Sequence, residues 1–354
     1  MSSRRDFLHA AGAIAAACTA LGIVPSTHAQ PARKEIRVGG KKIKVVDIHA
    51  HCVFPEVTER VPGANAPRVA PPTLVLGPER FKAMDERGID VQALSVNTYW
   101  WYSAEREVAK RIVAVHDEGL AKWCTANRER FVPLSSPALQ FPDLAAEQLE
   151  HAVKNLGSRG ASIGGHVSGE PPTSPKYDAF WAKAQELDVP VFMHPNNAQN
   201  IARDGALDGR GSLANIVGNP LETTVFLSHM IYDGTLDRFP RLRVCAAHGG
   251  GYLPSYLGRS DASCTFRADA DCANKRKPSE YFRDQLLVDT MVFSSEALRH
   301  LVAETGVSQV VYGSDMPYPW PDTIDIVVSA PFLRDADKEA ILGGTLVKLL
   351  RIAA

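Results

Sequence analysis

Strand-like and helix-like segments alternate along most of this chain, and the alternation limits the folds open to it. Eight short apolar runs are typical of buried strands, and they occupy residues 44–49, 91–96, 131–135, 161–164, 189–194, 242–247, 285–289 and 309–313. Amphipathic stretches typical of helices lie between them, at residues 78–87, 103–127, 144–156, 177–187 and 294–304. Eight such units in one domain predict a parallel (β/α)8 barrel, the TIM barrel.

The composition agrees with one globular domain over residues 31–354. The chain has 354 residues, of which 45% are hydrophobic and 22% charged, enough to bury a large core. Its net charge of -1 comes without a basic stripe, which argues against nucleic acid as a partner and favours a small-molecule substrate. Residues 52–77 and 196–219 are longer than ordinary barrel loops, so we expect both insertions to cap the barrel mouth.

Residues 1–30 have the pattern of an export signal. Arg4 and Arg5 precede an apolar, alanine-rich run at residues 10–24, and small residues end the segment at Ala29. This pattern resembles a twin-arginine signal peptide and predicts a periplasmic protein. An anchor that is never cleaved is the alternative. No later stretch approaches the roughly 20 apolar residues that a transmembrane helix needs, so we expect no membrane span in the mature protein.

Candidate metal ligands stand at the C-terminal ends of predicted strands, where a parallel barrel collects its active site. His49 and His51 are two residues apart on one strand and therefore point the same way. His194 ends another predicted strand, and Asp315 follows the last one. Three imidazoles and one carboxylate suit a single divalent ion, with zinc as the first expectation and manganese or iron as alternatives.

Three further residues are candidates for catalysis or substrate binding. His248 precedes three glycines, and a histidine beside a metal-bound water can act as a general acid and base. The alternative for His248 is a tight turn that needs positive φ angles. His166 is expected to face the substrate or to be a loop residue, and not to bind the metal. Arg68, in the first long loop, is a candidate contact for a substrate carboxylate.

The cysteines leave one pairing open. Cys264 and Cys272 are close enough in sequence to form a disulfide in an oxidising compartment, and two free thiols are the alternative. No cysteine spacing predicts a structural zinc cluster.

Five motifs resemble the amidohydrolase-related decarboxylases typified by aminocarboxymuconate-semialdehyde decarboxylase. They run in order from about residue 44 to the C-terminus: VVDIHAH, MDERGIDVQ, the HP after the fifth strand, DRFPRLRVCAAHGGGYLPSYLGR and YGSDMPYP. The resemblance implies a barrel of the metal-dependent hydrolase type and the four metal ligands above, with His248 as the catalytic acid/base.

The same resemblance implies a homodimer. Arg259, in the LGR of the fourth motif, matches an arginine that enters the neighbouring subunit's active site and pairs with a substrate carboxylate. Binuclear amidohydrolases add a carboxylated lysine at the fourth strand, and GASIGGHVSG has no lysine there, which favours one ion. The chain departs from the family after His-Pro, where Asn196 and Asn197 replace a tryptophan and predict a more polar pocket wall.

These observations predict a metal-dependent carboxy-lyase that releases carbon dioxide from a small unsaturated or aromatic carboxylic acid. The first alternative is a hydrolase of an ester, lactone or amide that uses the same fold and metal. The second, of another class, is an exported binding protein that uses its metal only to hold a ligand.

Overall fold

The computed structural model describes residues 33–64, 72–97 and 100–353. The export-signal prediction for residues 1–30 and the candidate Arg68 therefore lie outside the described residues. Residues 34–354 form one compact unit.

Eight parallel strands form the centre of this unit, after a short antiparallel hairpin of β1 (Arg37–Val38) and β2 (Lys41–Lys42). The barrel strands are β3 (Val46–His51), β4 (Val91–Ser95), β5 (Phe131–Pro133), β6 (Ala161–Ile163), β7 (Val191–Met193), β8 (Val244–Ala246), β9 (Leu286–Asp289) and β10 (Val310–Val311). Each overlaps one of the eight predicted strands. Among the strands of the described residues, only the two of the hairpin were not predicted, since two-residue strands leave no periodic signal.

Two sets of paired strands close into the barrel. Strands β3, β4 and β5 pair in sequence order, and β6 to β10 pair in the same way. The backbone N–H of Ser162 donates to the carbonyl of Ser135 at 2.6 Å and joins the β5 edge to β6. The N–H of His51 donates to the carbonyl of Met316 at 2.7 Å, which joins β3 to the segment after β10. The closure confirms the predicted (β/α)8 barrel.

Helices alternate with the strands as predicted. The longer ones are Pro78–Arg87, Arg106–Ala126, Pro142–Asn155, Asp178–Leu187, Asn219–Tyr232, Leu257–Phe266 and Ser295–Thr305. The shorter ones are Glu56–Arg60, Thr235–Arg238, Pro278–Tyr281, Ile324–Ser329, Asp335–Glu339 and Thr345–Leu349.

The helix Pro78–Arg87 has the bounds that the sequence predicted. Pro78 begins it, where a missing N–H costs no hydrogen bond, and Gly88 ends it with a left-handed φ of 81°. A Cβ at Gly88 would lie 2.9 Å from the carbonyl oxygen of Lys34, so both backbone angle and space require glycine.

The barrel strands are buried on both faces. All residues of β3, β4 and β6 to β10 are buried, which explains why the sequence shows continuous apolar runs instead of alternation. A few residues of these strands are polar although they are buried, and they mark the functional site. Among them are Asp47, His49 and Asp289.

Cys264 and Cys272 form a disulfide, which resolves the alternative that the sequence left open. Cys52, Cys124 and Cys245 are buried free thiols. Within the described part of the chain, no helix combines the length and apolar character needed to cross a membrane.

Candidate active site

Four side chains converge at the C-terminal ends of the strands and form what we call the metal site. Its members are His49, His51, His194 and Asp315. One potential ligand atom from each lies within 4.8 Å of the others, and all four residues are buried. The residues predicted as ligands are therefore brought together as a divalent-metal site.

Backbone geometry places Asp315 against the two histidines of β3. Asp315 has a φ of 57°, a left-handed conformation that is uncommon outside glycine and clusters at functional sites. Its Oδ1 lies 2.7 Å from Nε2 of His51 and 3.1 Å from Nε2 of His49.

The charge balance of the metal site suits a cation. Burial lowers the pKa of His49, but the carboxylates of Asp315 and Asp289 outweigh burial and raise it to about 10. The surroundings of His49 thus favour positive charge, which a divalent ion can supply in place of the proton. Burial lowers the pKa of His51 and, with the neighbouring imidazoles, that of His194, so both rings favour the neutral form that binds metals.

Asp289, at the end of β9, supports the metal site and was missed by the sequence reasoning. Its Oδ2 accepts a hydrogen bond from Nδ1 of His49 at 2.7 Å, and its Oδ1 accepts from the backbone N–H groups of Gly249 and Met291 at 2.8 and 3.1 Å. A carboxylate that accepts the second ring N–H of a metal-binding histidine orients that ring. The sequence did indicate Asp289, because this polar residue stands at the C-terminal end of a predicted strand, as the predicted metal ligands do.

Asp47 on β3 is a second buried carboxylate that the sequence reasoning missed. It accepts hydrogen bonds from the backbone N–H groups of His49 and Ser314 at 2.9 and 3.0 Å, and from Nε2 of Gln92 at 2.8 Å. This buried carboxylate ties the first barrel strand to the second and to the segment that carries Asp315. An acidic residue inside an apolar run was the sequence signal.

His248 lies beside the metal site in a turn after β8. The centroid of its ring is 5.2 Å from that of His49 and 5.4 Å from that of His194. Its φ is 57°, and the three glycines after it also have positive φ angles. The prediction that His248 stands in a tight turn is therefore confirmed. A residue in such a turn can also transfer protons, so both predictions for His248 can hold. Burial and then the nearby His49 lower the pKa of His248 to about 4.

His166 lies outside the metal site. Its Nδ1 accepts a hydrogen bond from the backbone N–H of Gly169 at 3.0 Å, and its Nε2 lies 4.0 Å from Oε2 of Glu222. Glu222, also missed from sequence, accepts hydrogen bonds from the N–H groups of Asn196 and Ala198 at 2.8 and 3.0 Å and holds the loop after His194. A substrate role for His166 stays a prediction.

A pocket of about 330 Å³ opens onto the metal site. Its wall contains three metal-site residues, a group of asparagines, and aromatic and proline side chains: His51, His194, Asp315, Asn97, Asn196, Asn197, Asn215, Asn219, Pro195, Tyr318, Pro319 and Trp320. The second long loop therefore forms part of the mouth, and Asn196 and Asn197 make the wall polar as expected.

Arg259 lies on the helix Leu257–Phe266, exposed and outside the wall of this pocket. The role of Arg259 in a partner's active site stays a prediction.

Comparison with known proteins identifies relatives along nearly the whole barrel. The chain matches the amidohydrolase family over residues 46–352. It is 30% identical over 276 residues to 2-amino-3-carboxymuconate-6-semialdehyde decarboxylase from Dictyostelium discoideum, covering 77% of this chain and 75% of that protein. The structure of 5-carboxyvanillate decarboxylase from Sphingomonas paucimobilis superposes with a TM-score of 0.79 at 25% identity, covering 88% of this chain and 100% of that one.

A further solved structure shares the fold and contains a metal. Dihydroxybenzoic acid decarboxylase from Polaromonas sp. JS666, with bound manganese and the inhibitor 2-nitroresorcinol, has a TM-score of 0.74 at 24% identity, covering 87% of this chain and 97% of that one. The motifs, the fold and the metal site thus agree with the relatives. The chain belongs to the amidohydrolase family and, as its sequence predicted, to the metal-dependent decarboxylases within it.

Proposed function

We propose that this protein releases carbon dioxide from a small aromatic carboxylic acid bound in the pocket at the metal site. The observation that carries the proposal is that His51, His194 and Asp315 belong both to the metal site and to the pocket wall. A pocket of about 330 Å³ has room for a single substituted ring. Relatives of this chain act on 5-carboxyvanillate and on dihydroxybenzoic acid, which are aromatic acids.

We assign the proton transfer to His248. A divalent ion held by the metal site would supply positive charge to substrate oxygens. In decarboxylation the bond from the ring to the carboxyl carbon breaks, its electron pair stays on the ring carbon, and that carbon takes up a proton. The ring of His248 lies beside those of His49 and His194, close to where this carbon would sit. Because the pKa of His248 is lowered to about 4, its imidazole is neutral near pH 7. It takes up one proton from the solvent and delivers that proton to the ring carbon as carbon dioxide leaves, so the carboxylate and one proton become the protonated ring and carbon dioxide.

Zinc is our proposal for the metal, with manganese and iron as competitors. Three imidazoles and one carboxylate are a common donor set for catalytic zinc, but the same donors also bind manganese and iron. Protein stripped with a chelator and reloaded with each ion in turn tests the choice. Zinc should restore the highest turnover per bound ion; higher turnover with manganese would replace zinc as the working metal.

A substrate panel tests the activity itself. Metal-loaded protein is incubated with hydroxylated aromatic acids, lactones, esters and amides, while carbon dioxide release and hydrolysis products are followed together. We expect carbon dioxide from at least one aromatic acid. Hydrolysis products alone would favour the hydrolase alternative, and tight binding without any turnover would favour the ligand-binding protein.

We also propose a homodimer in which Arg259 serves the partner's active site. An exposed patch formed by Ile216, Val217, Tyr252 and Tyr256 lies on the same chain segments as the pocket mouth and Arg259. The hydroxyl of Tyr252 donates to the carbonyls of Ile216 and Val217 at 3.4 and 3.3 Å, which joins three of these four residues. Exposed apolar surface of this kind is typical of protein interfaces, and an arginine fork suits a substrate carboxylate.

Export to the periplasm by the twin-arginine signal completes the proposal. The disulfide between Cys264 and Cys272 supports it, because such bonds persist in oxidising compartments. Replacing Arg4 and Arg5 together by lysine should abolish export in cell fractionation, since the receptor recognises the arginine pair. An unchanged periplasmic fraction would contradict the assignment.

A further inference from the structure

The carboxylate of Glu222 accepts hydrogen bonds from two loops at the barrel mouth. Glu222 lies in the first turn of the helix Asn219–Tyr232 and is 1% exposed. Its Oε1 accepts from the backbone N–H of Gly165, after β6, at 3.2 Å. Its Oε2 accepts from the N–H groups of Asn196 and Ala198, after β7, at 2.8 and 3.0 Å. One buried side chain therefore connects the ends of two neighbouring strands to a helix.

The loop after β7 needs such support, because its backbone is strained. Asn197 and Ala198 have φ angles of 60° and 55°, in the left-handed region that favours glycine. Such conformations persist only where surrounding contacts hold them. The N–H of Asn197 donates to Oδ1 of Asn219 at 2.7 Å, so three consecutive N–H groups of the loop donate to side chains of one helix. Successive N–H groups that converge in this way favour negative charge, and here Glu222 supplies it.

The same loop forms part of the pocket wall. Asn196 and Asn197 line the pocket beside the metal-site residue His194. His194 itself is held by the barrel, because its N–H donates to the carbonyl of Ile163 in β6 at 2.9 Å. Loss of the Glu222 carboxylate should therefore displace the pocket wall and leave the metal site in place.

We propose that Glu222 is a positioning residue whose carboxylate fixes the wall formed by Asn196 and Asn197 and thereby sets how tightly the substrate binds. The inference rests on the proposed function and adds to it a residue outside both the pocket wall and the metal site. The turn that carries His248 is held by Asp289, so the proton transfer should be affected less than substrate binding.

Two variants of similar size separate hydrogen bonding from packing. Glu222→Met keeps about the length of the side chain but offers only a weak sulfur acceptor. Glu222→Gln keeps one acceptor oxygen, which can serve the loop after β7 while its NH2 group faces Gly165. All measurements are made at pH 8, because burial raises the pKa of Glu222 to about 7 and the carboxylate must be ionised. Asp117→Asn, which changes a buried carboxyl outside this pocket, is the matched control.

Three properties are measured on each protein: its metal content, the deuterium exchange of the amide hydrogens of Asn196 and Ala198, and kcat and KM for the fastest acid of the substrate panel. Glu222→Met should keep its metal and exchange both amide hydrogens about 10-fold faster or more. Its KM should rise by about 10-fold or more while kcat changes less than about threefold. Glu222→Gln should lie between Glu222→Met and wild type, and the control should match wild type.

A role of Glu222 in packing or folding alone gives different results. The Met and Gln variants would then behave alike, or kcat and metal content would fall while KM stays the same, and either result would overturn the inference. Unchanged exchange at Asn196 and Ala198 would overturn it as well. If Glu222→Met does not fold, Glu222→Gln decides: faster exchange at Gly165 or in the loop with a raised KM supports the inference, and a wild-type KM overturns it.

The proposed function is judged separately. Carbon dioxide release by the wild type together with an unchanged KM in the variants would remove only the role of Glu222. Absence of carbon dioxide release from every acid would remove the proposed function and the effect on KM with it, whereas the exchange rates would still show whether Glu222 holds the loop.

Discussion

The carboxylate of Asp289 orients the ring of His49 toward the metal site. A carboxylate at this position can only accept, because contacts with His49 outweigh burial and keep the pKa of Asp289 below its usual range. The hydrogen bond of 2.7 Å therefore comes from the Nδ1 proton of His49, which leaves Nε2 free to bind a metal. The other oxygen holds the N–H of Gly249, so one side chain also positions the turn that carries His248.

Asp289→Asn should weaken metal binding. An amide has one acceptor oxygen and cannot accept from both His49 and Gly249 as the carboxylate does. We expect metal affinity to fall by roughly 10-fold to 100-fold, the usual cost of losing such a support. Chelator competition measures it, and Asp117→Asn, a buried aspartate outside the site, is the control. Equal affinity in the two variants would show that Asp289 does not support the metal.

His194→Ala should purify with much less than one ion per chain. His194 supplies one of only four protein ligand groups, and the remaining three cannot hold the ion as tightly. Elemental analysis of the purified protein decides the point. His151→Ala, which replaces an exposed histidine, should keep full occupancy. A fully loaded His194→Ala variant would exclude His194 from the metal site.

His248→Ala should keep its metal and lose turnover. A proton-transfer group outside the ligand set can be removed without releasing the ion, and its loss lowers kcat by about 10²-fold or more. Metal content and carbon dioxide release are measured on the same preparation. Loss of the ion, as in His194→Ala, would make His248 a ligand and would contradict the proposed proton transfer.

Arg259 can be tested by mixing two inactive variants. His248→Ala and Arg259→Ala are dissociated, mixed and reassociated. Half of randomly assorted dimers are mixed, and each contains one intact site of two, so about a quarter of wild-type activity should return. Arg267→Ala, an exposed arginine just after the same helix, should be active by itself. A mixed dimer population without recovery would place Arg259 outside the active site.

Asp117 should make stability depend on pH. Burial raises the pKa of Asp117 to about 7, although Ser135 donates a hydrogen bond to it at 2.8 Å. Between about pH 4 and pH 7 the unfolded chain loses this proton while the folded chain keeps it, so stability falls as the pH rises. Asp117→Asn cannot ionise and should become the more stable protein at pH 8.

The size of that difference follows from the raised pKa. Three pKa units correspond to a difference in unfolding free energy of about 4 kcal/mol at most above pH 7, and the two proteins should converge near pH 4. Denaturant unfolding at several pH values measures it. A difference between Asp117→Asn and wild type that is the same at every pH would contradict the prediction.

The barrel and the metal ligands were predictable from the sequence. Strands buried on both faces appear as continuous apolar runs, and the strand ends of a parallel barrel meet on one side. Residues that follow different runs, such as His51, His194 and Asp315, therefore had to lie near one another once the fold was known. The helix at residues 78–87 was predictable because Pro78 and Gly88 give local signals at both ends.

Only the tertiary structure decided which other side chains complete the site. Asp289 lies 240 residues from His49 in sequence, and nothing local to either residue indicates that they pair. The bridge between Cys264 and Cys272 depended in the same way on a distance, their Cα atoms being 5.8 Å apart. Sequence carries periodicity and local backbone preference, whereas hydrogen-bond partners, burial and charge depend on contacts that exist only after the chain has folded.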